Sequence, residues 1–445
     1  MKSNLPDIVL KYLSKYGSDK WKLESKNSDK YNCAIVVPAI AEYQNIINLL
    51  NSLSENEFDK NYKVIIILVI NNDDSSSDEI KTDNQKSLSL LKAIHKNDSS
   101  FNSVIKKFNN SGLSIGYVDA SSQCFELPSK NAGVGLARKI GMDLALSVFD
   151  YSNQEKKILV CLDADCTVEK NYLSEIIKSF TKPGINAAVI NYEHPFPNDD
   201  ENLRAIMCYE IFLRYYELGL KYAGFHYAFQ TIGSGMACDF ESYIKIEGMN
   251  KQKAAEDFYF LEKLAKHYKI YKINSTKVYP SPRKSWRVPF GTGQRINRFF
   301  SNSHDEYLLY DPKSFNILKL WLELFHSDNN FSGDEYLKRA EKIHQELYNF
   351  LNEQKFKDDW NKILSHSKDN RQVNLQKQRW FDGFKTLKLI HHLRDNALPL
   401  VNMFDALDIL FEYYNLEKIN ERTEEIPAIP VQKKYLQILR SNLEL

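Results

Sequence analysis

The sequence predicts an α/β fold: a mostly parallel sheet with helices on both faces, followed by a helical module. From residue 31 to about residue 160, continuous apolar runs alternate with amphipathic helical patterns, which is typical of strands buried on both faces. After about residue 305 the strand patterns end and helical ones continue. We therefore expect an N-terminal helical segment (1–30), a sheet domain (31–304) and a C-terminal α-helical module (305–445).

Four apolar runs are predicted to be the first strands of the sheet domain. They are "CAIVVPAI" (33–40), "VIIILVI" (64–70), "LSIGYVDA" (113–120) and "KILVCLDAD" (157–165). Helical patterns follow in "YQNIINLLNSL" (43–53) and "GVGLARKIGMDLAL" (133–146). Because parallel strands end at the same edge of a sheet, the polar loops that follow these runs should share one ligand-binding edge.

Beyond residue 180 the pattern is less regular. A strand is predicted near "NAAVINYEH" (186–194), an aromatic helix over 206–224 and another helix from about Glu256. The aromatic stripe of the first helix is more often core, although it would also suit a sugar ring. In the C-terminal module, Ser332 and Glu335 form a capping-box pattern at the start of an amphipathic helix.

Composition excludes several classes of protein. A net charge of +1, with basic and acidic residues interleaved, does not favour nucleic-acid binding. The apolar run 64–70 is too short to span a bilayer, and the N-terminus lacks a signal-peptide pattern. We expect a cytoplasmic protein without transmembrane segments, with peripheral attachment to a membrane left open. Its six cysteines form no C-x-x-C pair, so reduced, buried thiols are expected.

Asp163 and Asp165 form a D-x-D motif at the end of a predicted strand. A hard cation such as Mg²⁺ or Mn²⁺ commonly takes one or two carboxylates together with substrate phosphates. The alternative is structural, with Asp163 ending the strand and Asp165 capping the next helix.

Two further regions carry candidate chemistry. Glu256 and Asp257 begin a predicted helix, where acids either complement the helix dipole or accept a proton from a hydroxyl. The segment "YPSPRKSWRVPFGTGQR" (279–295) contains Arg283 and Arg287, which would hold a diphosphate or form a solvated basic loop. There is no G-x-G-x-x-G fingerprint and no Walker G-K-[ST] motif.

Taken in order, five motifs resemble those of family 2 glycosyltransferases with the GT-A fold. "VVPAIAE" is similar to the family's opening P-x-x-N-E, "NNDDSSSD" to D-D-G-S-x-D, "GVGLARKIGMD" to the A-R-N helix, "LDADC" to the D-x-D, and "AEDFYF" to the E-D base motif. The resemblance covers residues 31 to about 300. It departs at Ala41 and Lys139, where the family usually has Asn. "SWRVPFGTGQR" does not match the Q-x-x-R-W of processive members.

The resemblance implies roles for particular residues. Asp163 and Asp165 would meet a metal on a nucleotide-diphosphate sugar, and Asp257, beside Glu256, would be the catalytic base. Gly233, Ser234, Arg283 and Arg287 would contact the acceptor or the diphosphate. The nucleotide sugar would be bound by Pro38, Ala39, Glu42, Asn72, Asp73, Lys130, Arg138 and Asp163.

The leading hypothesis is a metal-dependent, inverting glycosyltransferase that uses Mn²⁺ or Mg²⁺. Its donor would be a UDP- or GDP-linked sugar, and its acceptor a hydroxyl on a glycan, lipid-linked or small molecule. The C-terminal helices would shape the acceptor site or form a homodimer contact. A retaining transferase on the same fold, and a catalytically degenerate module that binds a nucleotide or glycan, are the alternatives.

Overall fold

The computed structural model describes residues 5–25, 30–96, 106–108, 110–285, 291–301 and 303–442. The chain forms two compact units. We call Met1–Phe196 with Thr231–Gln294 the sheet unit, and Pro197–Gln230 with Arg295–Leu445 the helical unit. Residues 197–230, which the sequence analysis placed in the sheet domain, therefore group with the C-terminal helices.

The strands of the sheet unit form one mixed sheet. They are β1 (Glu24–Ser25), β2 (Cys33–Ala39), β3 (Val64–Asn71), β4 (Ser114–Ala120), β5 (Ile158–Cys161), β6 (Thr167–Val168), β7 (Ala187–Tyr192), β8 (Met236–Asp239) and β9 (Ile270–Tyr279). Their order is β1-β4-β3-β2-β5-β8-β7-β9-β6. β2, β3, β4, β5, β7 and β9 run in one direction and the other three run against it. β10 (Leu308–Leu309) and β11 (Val401–Asn402) pair in the helical unit.

The helices are numbered in chain order over the described residues. They are α1 (Asp7–Tyr16), α2 (Tyr43–Ser54), α3 (Asp78–Lys96), α4 (Val134–Ala145), α5 (Tyr172–Phe180), α6 (Asp200–Tyr222), α7 (Phe240–Lys245), α8 (Glu256–Ala265), α9 (Thr292–Ser301), α10 (Pro312–Phe325), α11 (Gly333–Ile343), α12 (Gln345–Glu353), α13 (Phe356–His366), α14 (Asn370–Trp380), α15 (Gly383–Asn396), α16 (Met403–Tyr413) and α17 (Ile429–Asn442).

The central strands are buried on both faces, as their continuous apolar sequence predicts. Every residue of β3 is buried. The apolar stripe of α2 packs with one face, which includes Ile35 and Ile66. On the other face α4 lies so close that a Cβ on Gly141 would approach the Val36 side chain to 2.4 Å. The predicted α/β architecture, with helices on both faces of the sheet and a helical C-terminal part, is confirmed.

The helical unit has its own aromatic core. The Trp321 ring stacks on Phe325 at 4.9 Å between centroids, and Tyr336, Phe356 and Trp360 pack edge-on around them. Tyr215 of α6 is fully buried and donates to a backbone carbonyl at 2.6 Å. The core interpretation of the α6 aromatic stripe is thereby favoured.

Several smaller predictions can be compared with the structure. Ser332 caps α11 by accepting from the Glu335 amide at 3.2 Å, as the capping-box pattern predicts. All six cysteines are free thiols, five of them buried and Cys124 exposed. Within the described residues, every helix is too short or too polar to cross a bilayer.

Candidate active site

The candidate site lies at the edge of the sheet where four neighbouring strands end. β4, β3, β2 and β5 are parallel neighbours. Their carboxyl ends therefore meet at one edge. The loops that follow them carry six of the predicted site residues: Glu42, Asn72, Asp73, Lys130, Asp163 and Asp165. The predicted common edge is confirmed.

One buried asparagine joins the first two of these loops. The Asn84 side chain accepts from the Ala41 amide at 2.9 Å, and donates to the Asn71 carbonyl at 3.0 Å and to the Asn72 side chain at 2.8 Å. Ala41 has a left-handed φ of 52°, which turns the chain sharply after β2. Asn72 is 1% exposed, so its amide is committed to this network.

Four other residues that were predicted to bind the nucleotide sugar lie along this edge. Pro38 and Ala39 are buried in β2, and the Ala39 carbonyl accepts from the Asn71 side chain at 3.0 Å. Asp73 accepts from the Ser76 hydroxyl at 2.9 Å and pairs with Leu127 of the loop after β4. Lys130, in that same loop, is exposed.

A buried guanidinium lies between two of the predicted carboxylates. Arg138 of α4, 2% exposed, donates to Asp163 at 2.5 Å and forms an ion pair with Glu256. Burial lowers the pKa of Arg138, but the two carboxylates outweigh this effect and raise it above its usual value. Because its two Nη groups bind protein carboxylates, Arg138 holds two motifs together. Its contact with the nucleotide sugar stays a prediction.

Two glycines permit this close packing. A Cβ on Gly233 would lie 2.3 Å from an Nη atom of Arg138, so the backbone rests directly against the guanidinium. A Cβ on Gly135 would lie 2.4 Å from the carbonyl of Gln252, in the loop that leads to Glu256. The glycines therefore bring three distant segments into contact around Arg138.

The acid pair begins α8, as predicted. Glu256 is 4% exposed, whereas Asp257 is half-buried, and its carboxylate accepts from the Phe258 amide at 2.8 Å. Burial, only partly offset by Arg138, raises the pKa of Glu256 to about 7 and also raises that of Asp257. Two neighbouring carboxyls with raised pKa values are typical of sites that exchange protons.

A second arginine binds the other aspartate of the D-x-D motif. Arg283 donates to one oxygen of Asp165 through Nε at 3.0 Å and through Nη2 at 2.9 Å. The same Nη2 forms an ion pair with Glu42. The helix-cap interpretation of Asp165 is wrong, because α5 begins at Tyr172 with Asn171 as its N-cap residue.

The described part of the site holds more negative than positive charge. Among the described residues, Glu42, Asp163, Asp165, Glu256 and Asp257 face two guanidiniums, Arg138 and Arg283. Burial first, then the neighbouring Glu42 carboxylate, raises the pKa of Asp165 to about 6 despite Arg283.

This donor set fits a hard divalent cation with few protein ligands. The side chains of Asp163 and Asp165 are 34% and 26% exposed, so both carboxylates are accessible. In the described part of the chain, no three His, Cys, Asp or Glu side chains converge as a metal-binding group. A cation here would take oxygens from these two aspartates and complete its shell from substrate and water, as Mg²⁺ commonly does.

The excess negative charge predicts an unusual pH dependence of stability. Asp165 and Glu256 have folded-state pKa values of about 6 and about 7, above those of the unfolded chain. The folded chain therefore binds more protons than the unfolded chain between about pH 4 and pH 7, and its free energy of unfolding falls as pH rises. Each shift exceeds two pKa units, at about 1.4 kcal/mol per unit, so we expect a decrease on the order of 5 kcal/mol, measured by urea denaturation of the metal-free protein.

In the variant Asp165→Asn, the free energy of unfolding should fall less steeply between pH 4 and pH 7, because the contribution of Asp165 is removed. Equal slopes for the wild type and the variant between pH 4 and pH 7 would contradict the assignment of the raised pKa to Asp165.

Two of the predicted residues stay predictions. Ser234 is buried, and in the described part of the chain no hydrogen bond joins its hydroxyl to the charged side chains of this cluster. Arg287 lies outside the described residues. The sequence analysis missed Asn84, which shares a helical face with Leu88 and Leu91; a polar residue at a core-facing position was the available signal.

The chain was compared with known proteins. Neither a protein family nor a characterised protein matches its sequence. Similar solved structures include S. aureus TarS 1–349 with UDP-GlcNAc, at 13% identity and TM-score 0.39, covering 82% of this chain and 92% of that one. Mannosyltransferase PcManGT from Pyrobaculum calidifontis with GDP-Man and Mn²⁺ has 14% identity and TM-score 0.34, covering 87% and 95%. GalNAc-T7 with UDP, GalNAc and Mn²⁺ has 11% identity and TM-score 0.32, covering 71% and 55%.

Proposed function

We propose that this chain is a metal-dependent glycosyltransferase of the GT-A type, which transfers a sugar from a UDP- or GDP-linked donor to an acceptor hydroxyl. One observation carries the proposal. The D-x-D carboxylates, the acid pair at the start of α8 and Glu42 meet at one edge of the sheet, where Arg138 and Arg283 link them. These segments are far apart in the sequence, and their convergence is the arrangement that the family 2 resemblance implies.

The donor diphosphate is assigned to the D-x-D side of this cluster. Bound Mg²⁺ or Mn²⁺ would neutralise charge that develops on the departing diphosphate. Asp163 and Asp165 supply accessible carboxylate oxygens, and Arg283 supplies a fixed cation next to them. The nucleotide is assigned to the loops after β2 and β3, which Asn84 holds in place.

Asp257 is assigned as the base that accepts the proton of the acceptor hydroxyl. Glu256 is almost fully buried and forms an ion pair with Arg138, whereas Asp257 is less buried and forms no ion pair among the described residues. Its raised pKa makes it a stronger proton acceptor than an ordinary aspartate. Attack from the side opposite the departing diphosphate would invert the anomeric carbon.

The proposal is tested by incubating the full chain with UDP- and GDP-sugars, Mn²⁺ and a panel of glycan acceptors. We expect the wild type to consume one donor. EDTA should abolish this consumption, and Asp165→Asn should consume little donor even with Mn²⁺. Donor binding without turnover, equal with and without metal, would instead support a binding module. The configuration of the product, determined by NMR, distinguishes inversion from retention.

A further inference from the structure

Arg283 occupies the carboxylate that the proposed cation needs. One oxygen of Asp165 accepts from both Nε and Nη2 of Arg283, at 3.0 and 2.9 Å. The Asp165 side chain is only 26% exposed, so its charge is screened less than that of a surface pair. A divalent cation bound to the same oxygen would repel the guanidinium, and the two positive groups therefore compete for Asp165.

Arg283 has a second partner that would keep it at the site if it left Asp165. Its Nη2 also contacts Glu42, whose side chain is 8% exposed. Within the described part of the chain, Nη1 of Arg283 donates no hydrogen bond. The guanidinium can therefore stay bound to Glu42 while its Nη1 group donates to an incoming anion.

We propose that Arg283 couples cation binding to binding of the donor diphosphate. The oxygens of the diphosphate replace Asp165 as hydrogen-bond acceptors of Arg283, and the Asp165 carboxylate then becomes available to the cation. Each ligand therefore raises the affinity for the other, and in the absence of nucleotide the guanidinium keeps the cation weakly bound. The inference rests on the proposed function, because it assumes that this site binds a nucleotide diphosphate.

The test measures binding and does not require turnover. Binding of Mn²⁺ to the full chain is measured by electron paramagnetic resonance, without nucleotide and with saturating UDP or GDP. Binding of each nucleotide in the absence of metal is measured by calorimetry. Wild type, Arg283→Met and Arg283→Lys are compared. Lys178→Met is the matched control, because Lys178 is an exposed cation of the sheet unit with a side chain 70% exposed.

The expected effects have opposite signs for the two ligands. In Arg283→Met, Mn²⁺ alone should bind about tenfold more tightly than in wild type, while the metal-free nucleotide should bind about tenfold more weakly. Arg283→Lys keeps the charge but has one donor group, so both of its affinities should lie between those of wild type and Arg283→Met. Lys178→Met should bind both ligands as wild type does. A general loss of structure would weaken both ligands, so the tighter binding of Mn²⁺ identifies the competition.

Two results would overturn the inference. The first is unchanged or weaker Mn²⁺ binding in a folded Arg283→Met and in Arg283→Lys. The second is wild-type affinity for Mn²⁺ that is equal with and without nucleotide. If nucleotide binding is normal, either result removes the coupling and leaves the proposed function in place. A wild-type chain that binds neither UDP nor GDP at any Mn²⁺ concentration would remove both.

Discussion

Replacing Arg138 with methionine should lower the free energy of unfolding by on the order of 4 kcal/mol. Arg138 is 2% exposed and is bound by Asp163 and Glu256. Its removal leaves two carboxylates close together, one of them buried, without their shared counter-charge. A methionine side chain fills part of the same space, so the lost charge accounts for most of the effect.

This destabilisation should depend on pH. The pKa of Glu256 is already raised to about 7, and loss of Arg138 would raise it further. Protonation of Glu256 then removes part of the penalty, so Arg138→Met should lose less stability at pH 5 than at pH 8. Urea denaturation at both pH values measures the difference.

An exposed arginine supplies the control for Arg138→Met. Arg339 forms an ion pair with Glu335 in which both side chains are more than 40% exposed. Arg339→Met should change stability by less than about 1 kcal/mol at either pH. An equally small loss for Arg138→Met would show that the buried ion pairs contribute little to the fold.

Replacing Asp257 with asparagine should lower kcat by about 10²- to 10⁴-fold, because the amide cannot accept the acceptor's proton. Donor binding should change little, since Asp257 is assigned to the acceptor side. The rate of transfer and the affinity for the nucleotide sugar are measured separately. Asp19→Asn, which alters an exposed aspartate of the sheet unit, is the matched control and should keep full activity.

The neighbouring acid provides a contrast within the same helix turn. Glu256→Gln removes a partner of Arg138, so its main expected effect is lower stability. Full activity in a folded Asp257→Asn would exclude Asp257 as the base. Loss of activity in Glu256→Gln without loss of stability would transfer that role to Glu256.

Sequence periodicity was sufficient to predict β2, β3, β4, β5 and β7 and the shared edge of the sheet, but β1, β6, β8 and β9 were not predicted. Val64 to Ile70 is apolar at every position, and a strand with no polar face must be covered on both sides. The start of α8 at Glu256 was predicted from its acidic first turn. The grouping of α6 with the C-terminal helices was not predicted, because a helix that is apolar on several sides does not reveal which partner covers it.

The partners of the charged residues could not be predicted from sequence. Asp165 and Arg283 are separated by 118 positions, and Glu42 and Arg283 by 241. No local pattern specifies such a pairing, because it depends on where a loop after β9 returns to the sheet. The same applies to Arg138, which the family resemblance assigned to the nucleotide sugar and the fold places between two carboxylates.

The sequence by itself placed the carboxylates of the candidate site, with Asp163 and Asp165 at the end of a strand and Glu256 and Asp257 at the start of a helix. Those assignments follow from local periodicity and from the common edge of parallel strands. Only the tertiary structure decided how the charges are balanced, with Arg138 joining Asp163 to Glu256 and Arg283 joining Asp165 to Glu42. The physical reason is that ion pairing and burial depend on distances across the fold, and these distances set the pKa values on which the proposed chemistry depends.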